Sequence, residues 1–292
     1  MPADNEGPLG QKIDAPNVYS PDVLFPIERT RGRSLLNLIE SRPLPFAGED
    51  IWNCYELSWL KSSGVPRRGA LELRIPCQTP CLVESKSLKL YLNSLSFKRF
   101  GNEAELLETI QVDVARTLGC EASRLSAVLR GPGDMAPLDP CAWVCIDDED
   151  VGELNAEHYD HPDETHLQID GAGSPVEVVT ERLVSHLLRT LCPVTGQPDW
   201  GSVLIEYTGS KMDRPGLLRY ITSLRKEVGF HENAVEAITL ALHARCEPRA
   251  MRVTGRFLRR GGIDINPVRT IGAAAEASLD ATGQQQWHVP GQ

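Results

Sequence analysis

This 292-residue chain is short of positive charge, and it has no long apolar run. Lysine and arginine number 30 against 40 aspartates and glutamates, a formal net charge of −10 with a pI near 5.3. A nucleic-acid binder needs a cationic surface to displace counterions, so this balance argues against DNA or tRNA as a bound partner, a local basic patch aside. The longest apolar runs fall far short of membrane-spanning length, so no membrane partner is expected. Met1 to Pro8 has no basic region followed by an apolar one. No secretory signal is read, and a cytoplasmic protein is expected. Its eight cysteines are then expected as reduced thiols. None forms a C-x2-C pair: the spacings are Cys77-x3-Cys81 and Cys141-x3-Cys145, with Cys54, Cys120, Cys192 and Cys246 alone. A structural zinc site is therefore not expected. Also missing is a G-x-G-x-x-G turn after a strand, since Gly131-Pro-Gly133 and Gly171-Ala-Gly173 do not make one. A dinucleotide, if bound, is bound without a Rossmann turn.

What the chain does have is an ordinary globular balance, 41% apolar and 24% charged, and an element pattern given twice. In the first half a strand over Ile51 to Leu60 is followed by one in which Leu71, Leu73 and Ile75 alternate with Glu72 and Arg74. Leu88, Leu92 and Leu95 recur at helical spacing. Leu106, Leu107, Ile110 and Val114 define a second helix, and a strand near Leu125 to Leu129 closes the half. The second half has an extended strand over Val176 to Leu188 and an alternating one at Val203, Ile205 and Tyr207. Asp213 and Pro215 then open a helix as cap and first-turn proline, with Gly229 ending it. Ala234, Val235, Ile238 and Leu242 mark the next helix, and Met251, Val253 and Phe257 the closing strand. Tyr91, Ser94 and Leu95 recur as Tyr220, Ser223 and Leu224, each 129 later, and Ala104 and Thr109 as Ala234 and Thr239, each 130 later. The repeated order points to an internal duplication. The expected organisation is a flexible arm over 1–30, a first module over 31–150, a connector over 151–175, a second module over 176–272 and a tail over 273–292.

Four short segments carry chemistry. Cys192-Pro-Val-Thr-Gly-Gln-Pro-Asp199 lies between two strands and is dense in turn formers, so it is a loop held by rigid elements. A cysteine there can act as a nucleophile, and Asp199 can return to supply a proton. A packed cysteine with a turn-capping aspartate answers the same residues. Glu84-Ser-Lys-Ser-Leu-Lys89 leaves a strand and enters a helix; Ser85 and Ser87 can cap, and Lys86 and Lys89 would welcome phosphate, as would exposed amides at the helix start. An ordinary capped helix with solvated lysines is the alternative. His231-Glu232 opens a helix, where a glutamate can serve the dipole or accept the paired N–H donors of a guanine-like edge. Arg259-Arg260-Gly261-Gly262 can grip a phosphate or simply end a strand. His158, His161 and His166 sit in an acidic stretch with no frame to fix ligand geometry, and read as solvated loop.

Together these segments resemble the long, two-module form of the NADPH-dependent 7-cyano-7-deazaguanine reductases, nitrile reductases of queuosine biosynthesis. The resemblance runs from about Ala15 to Asn266 and rests on Glu84–Lys89, Cys192 with Asp199, His231-Glu232 and Arg260-Gly261-Gly262. It implies an α+β fold of tandem tunnelling-fold modules, antiparallel sheets each with two helices on one face. It implies that Cys192 attacks the nitrile carbon to give a thioimide, with Asp199 as proton donor and NADPH as reductant. It further implies that Val83, Glu84, Ser85, His231 and Glu232 bind the deazaguanine and that Ser85, Lys86, Arg260 and Gly261 contact NADPH. A homodimer without metal, acting on a small molecule rather than nucleic acid, is the expectation. The alternatives are an amidinotransferase on nitrile-bearing tRNA, which would want a basic surface and not the Ser-Lys-Ser-Leu-Lys segment, and a deazapurine-binding module without chemistry. A pterin-type cyclohydrolase of this fold would need zinc ligands that the sequence does not offer.

Overall fold

A computed structural model describes residues 15–38, 42–131, 136–137, 142–171, 177–272 and 287–288. The expectations placed on 1–14, on 172–175 and on most of the tail lie outside those residues. The fold is α+β with mainly antiparallel strands, and it divides into two units. The first holds Met1–Pro43, Glu49–Asp134 and Arg259–Ile265; the second holds Leu44–Gly48, Met135–Leu258 and Asn266–Gln292. Residues 151–171 of the stretch read as a connector fall within the second unit, and Arg259–Ile265, read with the second half, falls within the first.

In the first unit β1 (Pro26–Glu28) leads into α1 (Arg29–Leu35). A long hairpin follows, β2 (Ala47–Lys61) with β3 (Pro66–Pro76), in antiparallel register from Glu49 opposite Pro76 to Leu60 opposite Pro66. Then come β4 (Cys81–Val83), which pairs with β1, α2 (Ser85–Ser94), β5 (Arg99–Phe100), α3 (Glu103–Leu118) and β6 (Ser126–Arg130), which pairs with β3. The alternation read in the sequence is met in β3: Leu71, Leu73 and Ile75 are buried in the core. Glu72, on the reverse face, is held by the guanidinium groups of Arg74 and Arg130, each 2.6 Å away. Leu88, Tyr91 and Leu95 of the α2 region and Leu106, Ile110, Val114 and Leu118 of α3 complete this core. Each such buried side chain contributes roughly 1.5–3 kcal/mol.

The second unit contains a parallel pair of short strands, β7 (Ala136–Pro137) and β13 (Trp287–His288), and β8 (Val144–Cys145), which runs parallel to β9 (Val178–Leu191). β9 and β10 (Pro198–Ser210) form a second long hairpin, from Val178 opposite Ser210 to Leu191 opposite Pro198. α4 (Arg214–Ser223) starts where Asp213 accepts the Gly216 amide at 3.1 Å. α5 (His231–Cys246) and β11 (Ala250–Phe257) follow, β11 pairing with β10. β12 (Ile263–Ile271), a strand the sequence reading did not anticipate, pairs through Val268–Ile271 with Met251–Thr254 of β11. α4 stops at Ser223 and passes into a 3-10 turn over Leu224–Lys226, well before Gly229. Gly229 instead donates its amide to the carbonyl of Leu191 at 3.1 Å, so it serves the end of β9 and not the end of a helix. Among the described residues no helix is long and apolar enough to cross a membrane.

Candidate functional site

Two groups of side chains gather the predicted residues, one in each unit. In the second unit the loop 192–197 joins β9 to β10, and its ends are tied: the Cys192 amide donates to the Gln197 carbonyl at 2.9 Å. The Cys192 carbonyl accepts from the Gly196 amide, also at 2.9 Å. Gly196 has φ +65°, a conformation that costs glycine nothing and other residues about 1–2 kcal/mol. The preceding residue is tied as well, since the Leu191 amide donates to the Glu227 carbonyl at 2.8 Å. Cys192 thus has a fixed backbone and a half-buried side chain at the rim of a rigid hairpin.

Asp199 is the second residue of β10 and is buried, directly across the strand pair from Thr190. Its Oδ2 lies 3.5 Å from Nε2 of His231, the first residue of α5. The His231 imidazole stacks face to face on the Phe257 ring of β11, centroids 3.9 Å apart and planes 4° from parallel. Its Nδ1 is buried without a hydrogen-bond partner. Glu232, next in the first turn of α5, is buried too. No side chain caps this helix at Phe230, so the carboxylates of Glu232 and Asp199 lie at the end where the helix dipole favours negative charge. The structure therefore brings a carboxyl and an imidazole together at the end of the hairpin that carries the thiol, with Glu232 next along the helix. Phe257, read in the sequence only as a core residue, holds the imidazole plane; Thr190 also escaped notice.

Five of the other cysteines are shifted away from the reactive form. Burial pushes the thiols of Cys54, Cys81, Cys120 and Cys145 up, and that of Cys246 up to about 11, which disfavours the reactive thiolate. Two of the three histidines of the acidic stretch have local partners. His158 Nε2 lies 2.9 Å from Thr222 Oγ1 and His166 Nε2 3.4 Å from Asp163. Among the described residues no group of His, Cys, Asp and Glu side chains could hold a metal.

In the first unit Val83 ends β4, buried, and Glu84 caps α2. The Glu84 carboxylate accepts the amides of Lys86 at 2.7 Å and Ser87 at 2.8 Å, with the Ser85 hydroxyl at 3.4 Å. This corrects the expectation that Ser85 and Ser87 cap: Ser87 Oγ donates to the Glu84 carbonyl at 2.6 Å and accepts the Phe25 amide at 3.0 Å. It also removes those two amides from any anion site. Burial raises the Glu84 carboxyl above its usual range, opposed by the Lys86 and Ser87 amides, the Ser85 hydroxyl and the Lys86 charge.

Arg260-Gly261-Gly262 forms a tight turn in which Arg260 and Ile263 exchange backbone hydrogen bonds at 2.8 and 3.1 Å. Both glycines have positive φ, +58° and +79°, as a two-residue hairpin turn requires. A Cβ at Gly262 would lie 2.5 Å from the Glu56 carboxyl carbon, and one at Gly261 would lie 3.4 Å from Lys89 Nζ. Lys89 reaches Glu56 at 3.2 Å, and the Arg259 guanidinium sits 4.5 Å from the Tyr55 ring centroid. The turn is thus bare of side chains at its tip and flanked by Lys89, Arg259 and Arg260, all exposed. Lys89, Arg259 and Arg260 are cationic donors of the kind that suits phosphate oxygens, so they fit the phosphates of a nicotinamide dinucleotide, while the Glu56 carboxylate beside the turn holds Lys89.

Comparison with known proteins follows the same lines. The chain matches the family model "Nitrile reductase, 7-cyano-7-deazaguanine-reductase N-term" over residues 15–124 and the model "QueF-like protein" over residues 198–276. It is 46% identical over 262 residues to the NADPH-dependent 7-cyano-7-deazaguanine reductase of Azoarcus sp. (strain BH72), covering 90% of this chain and 89% of that protein. The enzyme of the same name from Desulfotalea psychrophila is 44% identical, with 90% and 92% covered. That of Bordetella avium is 40% identical, with 97% and 99% covered. Among solved structures, the archaeosine synthase QueF-Like in its apo form aligns with a TM-score of 0.30 at 20% identity, over 34% of this chain and 97% of that one. With relatives this similar over nine-tenths of its length, the chain belongs to the NADPH-dependent 7-cyano-7-deazaguanine reductase family.

Proposed function

We propose that this chain reduces the nitrile of 7-cyano-7-deazaguanine to an aminomethyl group, with Cys192 as nucleophile and Asp199 as proton donor. The observation that carries the assignment is the buried Asp199 carboxyl, 3.5 Å from His231 at the end of the hairpin whose loop begins with Cys192. A nitrile carbon accepts hydride poorly. Addition of the Cys192 thiolate forms a carbon–sulfur bond and moves a π pair onto nitrogen, which takes a proton from Asp199 to give a thioimide. Proton donation at that moment is worth about 10²–10⁴-fold in rate. When bound, NADPH supplies the hydrides, two for each nitrile. Cys192 leaves as the carbon–sulfur bond breaks, and Asp199 must be reprotonated before the next proton is delivered. His231, held flat by Phe257, and Glu232 offer a ring nitrogen and a carboxylate for the base edge. The same reading gives Glu84, with Val83 and Ser85, a part in holding the base, and Ser85, Lys86, Arg260 and Gly261 contacts to the dinucleotide. In each unit a long antiparallel hairpin is followed by a pair of helices, which supports the assignment of tandem tunnelling-fold modules. A cytoplasmic homodimer completes the reading.

The test is intact-protein mass spectrometry after mixing with the nitrile base and no NADPH. An added mass of one ligand per chain is expected, and Cys192→Ala should lose it. An unchanged wild-type mass, or an adduct retained by the variant, overturns the mechanism.

A further inference from the structure

We propose that Thr190 is a positioning residue for Asp199, serving the acid through both of its protonation states. The inference rests on the reading of Asp199 as the proton donor. Thr190 lies on β9 two residues before Cys192 and is fully buried. The strand register sets it directly opposite Asp199. Residues so placed on an antiparallel pair share one face, with Cβ atoms about 4.5–5.5 Å apart. Yet Thr190 Oγ1 is buried with no hydrogen-bond partner.

Thr270 Oγ1 is buried without a partner too, but other threonine hydroxyls are satisfied. On the same two strands Thr180 and Thr208 stand opposite each other and share a hydrogen bond of 3.0 Å. Thr222 and Thr239, on helices, bond back to carbonyls one turn earlier. A buried hydroxyl left without a partner is costly, so its retention beside Asp199 calls for a reason. The reaction supplies one. Asp199 alternates between acid and carboxylate as protons are delivered and replaced. A hydroxyl both donates and accepts, so it can accept from the acid and donate to the carboxylate by rotating about one bond. An ammonium group, which only donates, would not serve both states. His231 Nε2 approaches Asp199 Oδ2 from the helix side, and Thr190 is placed to meet the carboxyl from the strand.

Four variants separate this role from its rivals: Thr190→Val, Thr190→Ser, Asp199→Asn and the double change Thr190→Val with Asp199→Asn. Valine keeps the shape and removes the hydroxyl. We expect Thr190→Val to lower kcat about tenfold with KM for the nitrile base unchanged. Its melting temperature should stay level or rise, because an unpaired buried hydroxyl is replaced by a methyl group. Thr190→Ser should restore kcat to within about twofold of wild type. In the Asp199→Asn background Thr190→Val should slow adduct formation no further, the mark of residues that act as one unit. Full kcat in Thr190→Val alongside a crippled Asp199→Asn would overturn the proposal and leave the mechanism standing. Full activity in Asp199→Asn would instead overturn the reading of Asp199 itself. A melting temperature several degrees lower in Thr190→Val, without rescue by serine, would make Thr190 structural, and a penalty that persists in the double variant would make it act apart from Asp199.

Discussion

Burial alone holds the carboxyl of Glu227 above its ordinary value of 4.5, while its backbone carbonyl anchors Leu191, the residue before Cys192. A carboxyl raised in this way binds its proton more readily folded than unfolded. Its contribution to stability is complete below 4.5 and is lost as pH rises through the folded value. At neutral pH the charged form is therefore a burden, and Glu227→Gln should raise the melting temperature by roughly 1–3 °C. The gain should vanish in melts recorded below pH 4.5, where wild type is protonated too; a loss at neutral pH would mean the carboxylate has a favourable partner. At this scale the sequence made Cys192, Asp199, His231 and Glu232 legible because each stands in a short motif with a turn or a helix start beside it. Thr190 and Phe257 were not legible. Their part follows from pairing register and ring stacking, which depend on strand ends that side-chain alternation leaves open by a residue or two.

Two helix pairs repeat one another down to single hydrogen bonds. Ser94 Oγ donates to the Tyr91 carbonyl at 2.6 Å and accepts the Ser20 amide at 3.1 Å. Ser223 Oγ donates to the Tyr220 carbonyl at 2.7 Å and accepts the Asp163 amide at 3.1 Å. The recurrences noted in the sequence thus mark equivalent places where an incoming segment is tied to a helix end, an argument for duplication that does not rest on chance identities. The copies differ at the ends of their 16-residue helices α3 and α5. α3 stops at Gly119 with φ +70°, but α5 stops at Glu247 with φ +43°, a left-handed conformation that costs a residue with a Cβ about 1–2 kcal/mol. Glu247 is exposed, so Glu247→Gly removes no packing and should stabilise the protein by about 1 kcal/mol, seen as a higher midpoint in thermal or urea unfolding. An unchanged or lower midpoint would assign the side chain a contact that outweighs the strain. The strands and helices themselves were legible from periodicity, as in β3 and α3. β12 was not: Ile263-Asp-Ile-Asn-Pro carries a proline and polar residues, and its assignment depends on the Gly261-Gly262 turn folding the chain back.

For the whole molecule the deciding property is charge. The reductase reading and its nearest rival, an amidinotransferase on nitrile-bearing tRNA, share the Cys192 adduct, so the adduct alone cannot separate them. What separates them is the polyanion. Each phosphate neutralised by lysine or arginine releases counterions, which gives tRNA binding its strength and its steep salt dependence. A chain with 30 basic against 40 acidic residues begins with repulsion, and several of its cations are paired with carboxylates. Lys89 is tied to Glu56, Arg74 and Arg130 to Glu72, Arg182 and Arg252 to Glu206, and Arg214 to Glu181. The exposed Arg259 and Arg260 beside the glycine turn suit the phosphates of one dinucleotide but are few for a tRNA backbone. The expected outcome is stoichiometric NADPH consumption, two per nitrile base, at a rate that added tRNA leaves unchanged. In a filter-binding series from 50 to 200 mM salt, retention of tRNA should stay near background throughout. Tight retention at 50 mM that falls about 10³-fold or more by 200 mM would show several phosphate contacts and return the tRNA-directed reading to first place.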